Sequence, residues 1–195
     1  MSFLRVVVDS LPLATVASAG REFLTARVGG TIVDDDYADL TVSSYNRTLE
    51  SEPESLTWIN QMPLRAGQCI EIAFLENGAE SEPGKTFEEL YPNHEGKIEP
   101  IDKASLFADI RKYPKLRNGY TLAYLSNSIA NQTFATAPGD HGFLLNVLWN
   151  FHHPDRVSVS FHSYTISGVE AEEPAHYFVR ERLGVGSSVK LQLVS

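Results

Sequence analysis

The chain has 195 residues, of which 43% are apolar, 21% charged and 10% aromatic. These proportions belong to a globular protein and exclude a disordered or collagen-like chain. Lys and Arg total 16 against 25 Asp and Glu, a net charge of −9, which argues against a free-standing nucleic-acid binder, because such proteins must neutralise phosphates.

The acid is concentrated at the front of the chain. Residues 1–100 hold 17 acids and seven bases, whereas residues 101–195 hold eight acids and nine bases. The first half therefore projects a negative field that attracts basic partners and repels nucleic acid and anionic lipid.

In chain order, Phe3 to Val8 reads as a strand. The stretch Val6 to Ala19 is apolar and ends in Ala17-Ser18-Ala19, like a signal-peptidase site, but Asp9 and Pro12 interrupt it and only Arg5 flanks it. We read it as strand plus loop. A second strand is predicted over Glu22 to Val28 and a third over Asp39 to Tyr45, which alternates and ends near the turn signal Asn46. Leu64 to Gly67 is a tight turn, after which Ile70, Ile72 and Phe74 face one side and Glu71 and Ala73 the other. The single cysteine, Cys69, lies in this stretch. It permits no intramolecular disulfide, is expected to be a buried, inert thiol, and fits a reducing cytoplasm.

Residues 77–119 carry different signals. Pro83-Gly84 marks a loop. Thr86 and Glu89 form a capping box that opens a short helix through Leu90. Asp102 caps a second helix through about Lys112, with Leu106, Phe107 and Ile110 as its apolar stripe and Pro114 as its stop. Arg111, Lys112, Lys115 and Arg117 follow as a small basic cluster. Beyond it, Val157, Val159 and Phe161 mark one strand face, and Val189, Leu191 and Leu193 a last strand. No apolar run approaches the ~20 residues of a membrane-spanning helix.

The chain repeats itself. Thr15-Val16-Ala17-Ser18-Ala19 recurs as Thr133-Phe134-Ala135-Thr136-Ala137, Gly20 as Gly139, and Phe23-Leu24 as Phe143-Leu144. The segment from Leu64 to Phe74 recurs from Leu183 to Leu193. The spacing stays between 118 and 120 throughout, so we infer two copies of one unit. The expected fold is mainly β and sandwich-like. Two tandem antiparallel units, at 1–76 and 120–195, are joined by the helix-bearing segment 77–119. Each unit is read as four strands with one buried face, its twin being the nearest packing partner, so a two-sheet sandwich or two small β domains follow.

The search for chemistry yields two clusters. Asp34, Asp35, Asp36 and Asp39 crowd one loop. They lack the spacing of a calcium loop and make more sense as an edge that receives a basic partner by steering. Five of the six histidines lie in the second unit, and His152, Asp155 and His162 offer nitrogen and oxygen ligands to a metal. Adjacent His152 and His153 would point to opposite faces of a strand, so only one of them can join His162. No nucleophile elbow occurs. Gly184 to Ser188 resembles a phosphate loop but precedes a strand, so it reads as a hairpin turn. Trp58, Trp149, Tyr45 and Tyr164 are expected at matching core positions of the two units.

Thr57-Trp58 followed by Leu64-Arg65-Ala66-Gly67-Gln68-Cys69-Ile70 resembles a turn-strand motif of small bacterial β-rich proteins that carry no assigned activity. The acid that follows the glycine in those proteins is Gln68 here and Ser187 in the second copy. The resemblance implies a bacterial cytoplasmic protein and brings no catalytic residue. The expectation is a non-enzymatic, cofactor-free binding protein of the immunity or inhibitor kind. It would use Asp34, Asp35, Asp36 and Asp39 against a basic protein partner, without nucleic acid or membrane. The alternatives are a metal-dependent enzyme using the second-unit histidines and a self-assembling structural protein.

Overall fold

Buried and exposed positions alternate with period two along most of the chain, and this alternation builds the architecture. Between Phe23 and Thr31, for example, Leu24, Ala26, Val28 and Gly30 are buried while their neighbours are not. The fold is seen in a computed structural model that describes residues 1–46, 54–94 and 102–194.

The first unit holds β1 (Phe3–Val8), β2 (Leu11–Ala17), β3 (Phe23–Thr31), β4 (Ala38–Asn46), β5 (Glu54–Leu64) and β6 (Cys69–Leu75). The connection carries α1 (Phe87–Leu90) and α2 (Lys103–Ile110). The second unit holds β7 (Thr121–Ser126), β8 (Gln132–Ala135), β9 (Gly142–Asn150), β10 (His153–Tyr164), α3 (Ile166–Glu170), β11 (His176–Gly184) and β12 (Ser187–Val194). Both helices of the connection start as expected: Thr86 and Glu89 form the capping box of α1, and Asp102 accepts from the backbone N–H groups of Ala104 and Ser105 at α2. Among the described residues no helix is long and apolar enough to cross a membrane.

The strands form two six-stranded antiparallel sheets, ordered β2-β1-β6-β12-β7-β8 and β11-β10-β9-β3-β4-β5. The fold is mainly β and fits a two-unit sandwich, but the units are not one sheet each. Each contributes six strands, three to either sheet, and the units join edge to edge at the β6–β12 and β3–β9 seams. The four-strand reading missed this because the strands at the outer edges are short, bulged or interrupted. Pro12 sits in β2, which is an edge strand and needs no donor there. The β1–β2 turn uses Asp9 and Ser10, both at positive φ, in place of an Asn-Gly signal.

The register also corrects one repeat match. Leu24, Ala26 and Val28 face inward, as do Phe143, Leu145 and Val147. Leu24 therefore corresponds to Phe143, a spacing of 119, and matching Phe23-Leu24 to Phe143-Leu144 is one residue out of phase. A one-residue slip turns every side chain to the wrong face. Trp58 lies on β5 and Trp149 on β9, which are not equivalent strands, so only Tyr45 and Tyr164 match. Gly184 to Ser188 is not a hairpin either. It carries the chain from β11 in one sheet to β12 in the other.

One continuous hydrophobic core runs through both units, from Leu4 and Val6 to Leu191 and Leu193. It takes in a polar trio in the second unit. Where the first unit places Val6, Val8 and Met62, the second places Tyr124, Ser126 and Glu181. The Tyr124 and Ser126 hydroxyls both donate to the Glu181 carboxylate. The exchange is tolerated because the trio is mutually satisfied; leaving one such buried group unpaired costs about 1–3 kcal/mol.

Candidate functional site

The β3–β4 loop is built by a side chain from far along the sequence. After α2 the chain lies against Ile32, whose carbonyl accepts from Leu116 N–H (2.8 Å) and Arg117 N–H (3.4 Å). The Arg117 guanidinium then turns into the loop. Its Nη1 donates to the Thr31 carbonyl (2.5 Å) and the Tyr120 hydroxyl (3.0 Å), and its Nη2 to the carbonyls of Asp34 (2.7 Å) and Asp35 (3.3 Å). The guanidinium also lies 5.5 Å and 5.7 Å from the ring centres of Tyr37 and Tyr120. Tyr120 donates to the Thr31 carbonyl (2.6 Å) and Tyr37 to the Val194 carbonyl (2.7 Å), so both rings are fixed. Hydrogen bonds from a charged donor are each worth about 1.5–3 kcal/mol, enough to hold the turn in one shape.

Arg117 therefore spends itself on main-chain oxygens, not on carboxylates. Among the described residues no ion pair engages Asp34, Asp35 or Asp36, and all three are exposed. Asp39 differs. It is half-buried on β4, and burial raises its carboxyl above the usual range, with Arg27 opposing and Asp34 and Asp36 adding to the rise. The four predicted acids thus divide into a ridge of three and one flanking group.

Beside the ridge lies a cleft of about 630 Å³ lined by Val33, Asp34, Asp35, Tyr113, Leu116 and His141. Tyr113 is 60% exposed and Leu116 48%. Burial holds the His141 imidazole below its usual range, with Asp34 opposing and Lys115 adding to the fall. Burial likewise raises the Tyr164 hydroxyl, reinforced by Asp34 and Asp39. The cleft places fixed negative charge next to an accessible aromatic and an aliphatic side chain.

The remaining bases predicted as a cluster are dispersed. Arg111 pairs with Glu170 on α3 and Lys112 with Asp109. Arg117, Tyr37, Tyr113 and Tyr120 are the residues that sequence reasoning missed as a group. Arg117 is visible in the sequence only as one base among four, and nothing in the spacing announces its 80-residue reach to the acidic loop.

The histidine set is not assembled. His152 follows β9 in a turn, beside a second concavity of about 600 Å³ that includes Trp149 and Phe151. Asp155 is exposed near the start of β10. His162 is seven residues further along that strand, about 23 Å away at strand rise, with its ring against Tyr177 at 5.0 Å. Among the described residues no group of three or more His, Cys, Asp and Glu is placed to hold a metal ion. Cys69 is half-buried, and burial raises its thiol.

The spacing of 119 also relates the two clusters to each other. Asp34, Asp35 and Asp36 occupy the positions that His153, Pro154 and Asp155 occupy in the second unit, so the sandwich carries an acidic loop at one end and a histidine-bearing loop at the other. In comparisons with known proteins, no family model, curated protein or solved structure matches the chain.

Proposed function

We propose that the chain is a non-enzymatic, cytoplasmic protein-binding protein that neutralises a basic partner, in the manner of an immunity or inhibitor protein. The observation that carries this reading is the acidic ridge. Among the described residues its three carboxylates carry no ion pair, its backbone is held by Arg117, and it borders a cleft with Tyr113 and Leu116 exposed. Exposed charge steers association and fixes register, and an aromatic anchor in a cleft supplies the binding energy that charge alone does not. Such a surface suits a partner with basic residues around an apolar protrusion.

The test is a capture experiment from the source lysate with three baits at low and high salt, analysed by mass spectrometry. The baits are the unaltered chain, the triple reversal Asp34→Lys, Asp35→Lys, Asp36→Lys, and Tyr113→Ala. The reading expects one basic protein that is retained by the first bait, released by high salt, and reduced at least about tenfold on each variant bait, the cost of roughly 1.4 kcal/mol or more. A partner retained equally by all three baits would place binding elsewhere on the molecule.

A further inference from the structure

The two lateral sides of the sandwich are closed differently. On the first unit's side the gap between the edge strands β2 and β5 is covered by the chain itself. Ser81 exchanges two bonds with Thr15 of β2: Thr15 N–H donates to Ser81 Oγ (2.7 Å) and Ser81 N–H to the Thr15 carbonyl (2.8 Å). Gly84 lies on the Trp58 ring, where an added Cβ would sit 3.0 Å from ring atoms. Lys85 then pairs with Thr57 of β5 through two main-chain bonds of 2.9 Å each. Residues 80–86 are thus a strap that crosses from β2 to β5 and bonds to each at a single residue.

The second unit presents the equivalent edge bare. β11 ends its sheet, and among the described residues nothing pairs its outer side. Between β8 and β11, among the described residues, side chains close the gap, chiefly Phe134 stacked on Phe178 at 5.1 Å. The position that matches Thr57 is Tyr177. Ser43 faces Thr57 across β4 and β5, and His162, which is 119 residues after Ser43, faces Tyr177 across β10 and β11.

The bare edge is basic. Arg180 and Arg182 are exposed on the same face, and among the described residues neither makes an ion pair. The Arg180 guanidinium rests 3.4 Å from the Tyr177 ring centre. Glu181, between them, points inward to Tyr124 and Ser126 and does not neutralise them. The nearest acids in sequence, Glu172 and Glu173, precede the strand.

We infer that the outer edge of β11 is a docking site for an extended acidic segment of a partner protein, added to the sheet as a further antiparallel strand. An edge strand offers a row of unpaired main-chain groups, and strand addition uses those for affinity and alternate side chains for specificity. The bridge at Thr57 sets the register. The β11 bulge at Phe178 puts Tyr177, Arg180 and Arg182 on one face, so with a residue opposite Tyr177 in the way that Lys85 is opposite Thr57, residues two and four earlier on the added strand share the face of Arg180 and Arg182. Acids there are complementary. A second copy is not the occupant, because its strap is already bonded to Thr15 and Thr57 and its own β11 would bring Arg180 and Arg182 against like charges. This site is separate from the acidic ridge and stands or falls independently of it.

The test uses the synthetic peptide acetyl-Thr-Glu-Val-Glu-Val-Lys-Val-amide as probe, with glutamates two and four residues before its lysine, titrated into the full isotope-labelled chain and followed by amide shifts. Shifts are expected along Tyr177 to Arg182. Binding should weaken at least tenfold with the exposed double variant Arg180→Glu, Arg182→Glu, and with a peptide whose glutamates are replaced by lysine. A peptide N-methylated at its lysine should also lose binding, a control that leaves the protein untouched. The inference is overturned by no shift at millimolar peptide, by shifts confined to other strands, by binding that survives N-methylation or charge reversal, or by self-association of the chain through β11.

Discussion

Asp39 shows at the residue scale how burial and charge compete. Its carboxyl is raised because desolvation outweighs the Arg27 cation, and the neighbouring Asp34 and Asp36 push the same way. The folded state therefore holds the Asp39 proton more tightly than the unfolded chain does. Stability contributed by this group is present at low pH and is lost as pH rises from the ordinary carboxylate value through the raised one. Asp39→Asn removes that loss. The variant is expected to unfold at a higher temperature than the unaltered chain at pH 7, with the difference vanishing below roughly pH 3, where the carboxyl is protonated in both states. A variant that is less stable at pH 7 would mean that the Arg27 attraction and the Thr41 hydrogen bond outweigh desolvation.

The strand elements were legible where a full period-two pattern meets a buried face. Phe3–Val8 was read to the residue, and Val157, Val159, Phe161, Val189, Leu191 and Leu193 are all buried as expected. β2, β7, β8 and β9 were not assigned, although β7 and β9 carry the same alternation; β5 and β11 were not legible. Both are edge strands with bulges, β5 around Gln61 at positive φ and β11 at the Phe161/His162 shift, which break the alternation that reveals a strand. The acidic loop was legible as composition, but its shape was not, because Arg117, Tyr37 and Tyr120 meet only through the fold. The β3–β9 seam likewise depends on residues whose role no pattern announces. Gly142 lies so close to its neighbour that a Cβ there would strike the Gly30 carbonyl oxygen and come within 2.8 Å of the Tyr164 hydroxyl. Backbone cannot give way as a flexible side chain can, so Gly142→Ala is expected to destabilise by about 1–3 kcal/mol in denaturant titration, the cost of overpacking. Gly184→Ala, with its nearest neighbour at 4.0 Å, serves as the control and should cost under about 1 kcal/mol. Equal effects would remove the seam argument.

Taken as a whole molecule, the chain is a duplicated unit whose copies share both sheets and one core, and its candidate sites lie where the copies differ. The acidic ridge sits where the second unit has His153, Pro154 and Asp155. The bare β11 edge sits where the first unit has its strap. Departures of this kind are informative because the common scaffold fixes the background against which they appear. That reasoning requires the two units to be one structural body, not two that happen to touch. The chain contains two tryptophans, Trp58 on β5 of the first unit and Trp149 on β9 of the second. With Trp149→Phe, fluorescence follows the first unit alone; with Trp58→Phe, the second; far-ultraviolet circular dichroism follows both in each variant. The decisive measurement is urea unfolding of the two single-tryptophan variants by both probes. A shared body predicts that, within each variant, fluorescence and dichroism trace one coincident transition. Two dichroism steps, with Trp58 and Trp149 each following a different one, would contradict it.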